Sequence, residues 1–71
     1  MKRLLREYSF NSDMQYYEMI AESVINGQIE QAKTLFNKMP VDRRKLFVIA
    51  ALGDWISGIN KEHIKMFINL I

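Results

Sequence analysis

The sequence predicts an all-α fold: a small four-helix domain built of two αα-hairpins, with a short helix or arm in front. Three observations carry this. Apolar residues recur at helical spacing in four stretches. Gly27, Pro40 and Gly58 punctuate the chain between them. A shift of 31 residues lays the second half's pattern over the first. The length of 71 residues suits one domain, divided into an N-terminal segment 1–11, a first hairpin 12–40 and a second hairpin 41–71.

The elements follow in order. Leu4, Leu5, Tyr8 and Phe10 fit a short helix over Lys2–Tyr8 or an extended arm. Ser12 and Gln15 form a capping box, the Ser12 hydroxyl accepting from the Gln15 N–H and Gln15 reaching back. Behind it Met14, Tyr17, Ile20, Ala21, Val24 and Ile25 share one helical face. Gly27 ends this helix in the left-handed C′ position. The next helix, over Gln28–Met39, carries the stripe Ile29, Ala32, Leu35, Phe36 and Met39, and Pro40 stops it.

The third of the four helices is expected from Val41 or Asp42 to Ser57. Leu46, Ile49, Ala50, Gly53 and Ile56 would form one face, and Val48, Ala51, Leu52 and Trp55 nearly the opposite one. A helix apolar all round is central or lies at an interface. Gly53 in its interior costs about 1 kcal/mol against Ala, which close approach of a neighbour would offset. Gly58 is the next stop. Asn60 caps the last helix, Lys61–Ile71, whose stripe is Ile64, Phe67, Ile68 and Ile71.

The repeat aligns Tyr16 with Phe47, Val24 with Trp55, Ile25 with Ile56, Gly27 with Gly58, Leu35 with Met66, Phe36 with Phe67 and Met39 with Leu70. The residues from Tyr16 to Pro40 carry the series Tyr16, Met19, Ile20, Gly27, Ala32, Leu35, Phe36, Met39 and Pro40. This series resembles one pentatricopeptide repeat. In that family, stacked repeats form a solenoid that reads single-stranded RNA one base per repeat. The second hairpin keeps Phe47, Gly58, Phe67 and Leu70 in matching places, and His63 stands where the family has a small Ala. The resemblance implies helical-hairpin geometry, and no base-reading residue is carried over.

Composition narrows the function. There is no Cys, so no disulfide or thiolate metal site is expected, and one His makes a metal centre built on histidines unexpected. The longest apolar run, Leu46–Leu52, is seven residues, against about 20 for a membrane span. A cytoplasmic protein without signal peptide, membrane contact, cofactor or small-molecule substrate is the expectation. His63 lies in a first helical turn beside apolar residues, and Glu18 and Glu22 lie four apart on a polar face. Neither makes a catalytic or metal-binding motif, so no catalytic residue is assigned and an enzyme is not expected.

Two surfaces remain as candidates. Val48, Leu52 and Trp55, with Met19, form the expected protein interface, because Trp and Met are enriched at such contacts. Apolar groups on both sides of one helix exceed what a single core needs, which points to a homodimer. The leading function is therefore a non-enzymatic interaction protein that binds a protein partner, itself included. The alternative is a nucleic-acid-binding accessory protein. It would use the basic clusters Lys2, Arg3, Arg6 and Arg43, Arg44, Lys45 against phosphates. Ile, Asn and Lys supply 20 residues, a mix that suits an AT-rich genome and a phage or mobile-element accessory protein.

Overall fold

A computed structural model describes residues 1–71. It is all-helical, with α1 Lys2–Glu7, α2 Asp13–Ile25, α3 Ile29–Lys38, α4 Val41–Leu52 and α5 Lys61–Leu70. No helix is long and apolar enough to cross a membrane.

Local chemistry sets the helix starts. The Ser12 hydroxyl accepts from the Gln15 N–H, and Gln15 Oε1 accepts from Asn11 N at 2.6 Å, one residue further back than a standard capping box. Asn60 Oδ1 accepts from the His63 N–H at 3.0 Å at the head of α5.

The helix ends share one device. After α1, α2 and α4 the chain enters the left-handed region at Ser9, Gly27 and Asp54. Each time the next two amides fold back onto the last turn. Ser9 N donates to Arg6 O and Phe10 N to Leu5 O. Gly27 N donates to Val24 O and Gln28 N to Ser23 O, and Asp54 N donates to Ala51 O and Trp55 N to Ala50 O. These are Schellman caps, which satisfy carbonyls a helix end would otherwise leave open.

The end of α3 is closed by distant side chains instead. Met39 is extended at ψ 148°, as a residue before proline must be. The Tyr16 hydroxyl donates to Leu35 O at 2.6 Å. Arg44 donates through Nε to Met39 O at 2.8 Å and through Nη2 to Asn37 O at 3.0 Å.

Tyr16 near the start of α2 thus meets Leu35 near the end of α3, and Gln31 meets Ser23 at the opposite ends, so α2 and α3 run antiparallel. α4 lies along α2 in the same direction: Arg43 pairs with Asp13 at their starts, and Ile56 sits beside Ala21 and Glu22 at their ends. α5 packs against α4 and α3. At the centre, the Phe36, Phe47 and Phe67 rings lie 4.8 to 5.6 Å apart, centroid to centroid. All three are fully buried, as is Tyr16. Burial of these rings is the largest single source of stability that a domain of this size can draw on. α1 rests on the α2–α3 side, where Tyr8 meets the Tyr16 ring at 5.8 Å and its hydroxyl accepts from Lys38 Nζ at 3.0 Å.

Three expectations are corrected. α4 stops at Leu52, five residues short of Ser57. Gly53 is its C-cap, and the helix breaks because Asp54 takes φ 60°. Gly58, at φ 90°, lies inside the loop between α4 and α5 and ends no helix. The faces of α4 are also rotated from the expected ones. Phe47, Val48 and Ala51 point inward, while Leu46, Ile49 and Leu52 are exposed. The reason is Phe47: a ring at the centre of the core fixes the rotation of the helix, and the residues one position away follow it.

Candidate interaction surface

Leu46, Ile49 and Leu52 follow one another at helical spacing along the outward side of α4, and Trp55 continues beyond its end. Ile49, Leu52 and Trp55 are 63%, 60% and 77% exposed. Single exposed apolar residues are ordinary, but a run of four along one ridge is not.

Trp55 is held in place despite its exposure. Its amide donates to Ala50 O at 2.9 Å in the Schellman cap. Its indole lies against Gly53, where an added Cβ would come within 2.8 Å of Cδ1. Glycine at 53 therefore serves close approach of the ring, not of a neighbouring helix. With only two side-chain torsions, an aromatic residue loses little conformational freedom when a partner covers it.

Clefts flank the ridge on both sides. Toward α2, Met14, Tyr17, Leu46, Ile49, Ala50 and Asp13 line a cleft of about 430 Å³ that Trp55 closes. On the far side of the indole, Glu18, Glu22, Ile25 and Ile56 line a second of about 260 Å³. Toward α5, Leu52, Ile64, Ile68, Lys61 and Lys65 line a third of about 190 Å³. The two α2-side clefts contain no Lys or Arg, and the α5-side cleft contains no Asp or Glu.

Electrostatics within the surface are uneven. Asp13 is neutralised by Arg43, whose Nε lies 3.0 Å from Oδ2 but off the hydrogen-bond line, leaving that N–H without an acceptor. Glu18 and Glu22 take part in none of the chain's ion pairs, nor does Lys61. Lys65 is 3.8 Å from Glu62, both largely exposed, a contact that contributes little. Burial, and then the Asp13 carboxylate, raise the Tyr17 hydroxyl above its usual range.

The predicted interface residues separate. Leu52 and Trp55 lie on the exposed ridge. Val48 is in the core at 7% exposure and presents nothing outward. Met19 is half-buried on α2 and lines none of the clefts around Trp55. Leu46 and Ile49, assigned from sequence to the inward face, are the residues that join Trp55.

The basic clusters also differ from one another. Lys2, Arg3 and Arg6 are exposed on α1. Arg43 pairs with Asp13 and with Asp42 at 3.3 Å, and Arg44 caps α3, so of the second cluster only Lys45 is uncommitted. His63 is half-buried, with its Nδ1 enclosed and unpartnered. No group of three or more His, Asp or Glu is placed to hold a metal ion.

Comparison of the chain with protein-family models, with curated proteins and with solved structures finds no match.

Proposed function

We propose that the chain is a small non-enzymatic interaction protein, two consecutive αα-hairpins that present one face, the α4 ridge with Trp55, to a protein partner. One observation carries this: Leu46, Ile49, Leu52 and a three-quarters exposed Trp55 form an apolar ridge that neither α1 nor any other part of the chain covers. Apolar surface of this kind is the usual centre of a protein interface, with Trp as its commonest anchor. The cleft of about 430 Å³ is lined almost wholly by apolar side chains, Asp13 apart, which suits apolar side chains of a partner. The nucleic-acid alternative draws less support, because two of the three residues in its densest cluster are spent on the chain's own backbone and carboxylates.

The test is affinity capture from the native host with nuclease present, using wild type, Trp55→Ala and Ile49→Asp. The expected result is a protein retained by wild type through nuclease treatment and lost with either variant. Retention that nuclease abolishes, or that both variants keep, would transfer support to the alternative or to another surface.

A further inference from the structure

We propose that the ridge is occupied by a second copy of this chain, in a two-fold dimer whose axis runs along α4. This rests on the interaction reading above and specifies its partner.

The two flanks of the ridge carry opposite charge. On the α2 side stand Glu18 and Glu22, unpaired. On the α5 side stand Lys61 and Lys65. Both pairs lie toward the same end of α4: Glu18 and Glu22 line the cleft beside Trp55 and Ile56, and Lys61 and Lys65 line the cleft beside Leu52. Toward this end of α4 the surface is therefore complementary to itself, with Ile49, Leu52 and Trp55 in the middle and opposite charges left and right at one height. Lys45, one turn before Ile49 on the same outward side, would stand beside its own equivalent at the other end.

Geometry then selects the arrangement. Two copies placed face to face are related by a two-fold axis lying in the interface. If that axis crosses α4, the helices are antiparallel and each flank meets its own kind. If it runs along α4, the helices are parallel, left meets right and height is preserved. Glu18 and Glu22 of one copy then face Lys61 and Lys65 of the other, twice per dimer. Ile49, near the middle of the ridge, meets its own equivalent. Such charge complementarity sets register and orientation, while the apolar ridge and Trp55 supply the drive.

Sedimentation equilibrium over a range of micromolar concentrations tests this, with circular dichroism as the folding control. Wild type is expected to dimerise and no further, more weakly as salt rises. Glu18→Lys with Glu22→Lys, and separately Lys61→Glu with Lys65→Glu, should each weaken the dimer about tenfold or more at low salt. An equimolar mixture of the two double variants should recover wild-type association, since each restores the other's missing partner. Ile49→Asp should be monomeric. The charge variants change exposed residues only, so they decide the matter even if Ile49→Asp fails to fold. A wild type monomeric throughout, growth beyond a dimer, or a mixture no tighter than its components would overturn the proposal. A monomeric wild type that still captures a different protein through Trp55 would leave the interaction reading standing alone.

Discussion

After α2 and again after α4 the chain makes the same left-handed turn, yet the two turns have opposite consequences. At Gly27 the chain reverses at once, and α3 begins two residues later. The stripes of α2 and α3 then seal each other. At Asp54 the chain makes the same cap, and six further residues pass before α5 begins at Lys61. Trp55 is thrown outward and Ile56, next to it, goes into the core at 4% exposure. Val24 and Ile25, which the 31-residue shift sets against Trp55 and Ile56 although they precede their turn, are placed the other way round, at 5% and 63%. A short connection buries most of the apolar surface of both helices, Ile25 excepted, whereas a long one leaves more of it exposed. The first pair is thus a core element, and the second is core on one side and surface on the other.

The largest expected effect tests whether both pairs share one core. Phe36 and Phe67 are equivalent under the repeat and both fully buried. Each Phe→Ala change should cost about 3–5 kcal/mol, enough to unfold much of a domain this small. Urea denaturation would show it. A Phe67→Ala cost well under half that of Phe36→Ala would mean that α5 is peripheral and that the two pairs do not share a core.

Much of this comparison was legible in the sequence, and its limits are physical. The four main helices, the Ser12 and Asn60 caps and the Gly27 stop depend on residues within four positions of one another, and periodicity and cap chemistry report such things directly. The end of α4 was missed because its left-handed residue is Asp54, while glycine is the familiar marker and Gly53 sits one place too early. Extending the helix to Ser57 placed Val48 on the same face as Trp55, and so put a core residue into the candidate interface. The roles of Arg43 and Arg44 were invisible for another reason. Their partners Asp13, Asn37 and Met39 are brought to them only by the packing of α4 on α2 and α3. The charge segregation across the ridge has the same origin, since α2 and α5 become its two flanks only in the fold.

The second effect is the inversion at the helix ends. Val24→Ala should cost about 2 kcal/mol by opening a cavity, whereas Trp55→Ala, set against it by the 31-residue shift, should change monomer stability by less than about 1 kcal/mol. Thermal or urea unfolding at concentrations where the chain is monomeric measures both. Equal costs would place the indole in the core and remove the basis of the interaction surface.

A third difference is chemical. Tyr16 and Phe47 are equivalent and equally buried, but only Tyr16 has a hydroxyl, committed to Leu35 O. Burial, and then the neighbouring Tyr8 and Glu7, push the Tyr16 hydroxyl far above its usual range. The unfolded chain releases this proton near pH 10 while the folded chain keeps it, so the unfolded state binds fewer protons and stability falls as pH rises above about 10. Tyr16→Phe should cost about 1 kcal/mol at neutral pH, by leaving a carbonyl unpaired. It should also flatten most of the alkaline loss, with Tyr17 and Lys38 sharing the remainder. An unfolding midpoint in the variant that drops as steeply as in wild type above pH 10 would mean that the hydroxyl is not held by the end of α3.

The smallest effect concerns the turns themselves and has opposite signs in the two places. Gly27 and Asp54 occupy the same position of the same cap, at φ 76° and φ 60°. A residue with a Cβ is strained there by about 1 kcal/mol and glycine is not. An added Cβ at Gly27 meets nothing within 4 Å, so Gly27→Ala isolates backbone strain and should destabilise by about 1 kcal/mol. Asp54→Gly should relieve the same strain and stabilise, by somewhat less, because the added glycine also loosens the unfolded chain. Paired urea titrations of the two variants read this difference. If Asp54→Gly were neutral or harmful, the aspartate would be supplying an interaction of its own at the end of α4, and the two turns would be alike in backbone only. A stabilised Asp54→Gly that keeps the fluorescence of Trp55 unchanged would show instead that the cap alone orders the indole, with Gly53 beneath it and Asp54 as a tolerated strain.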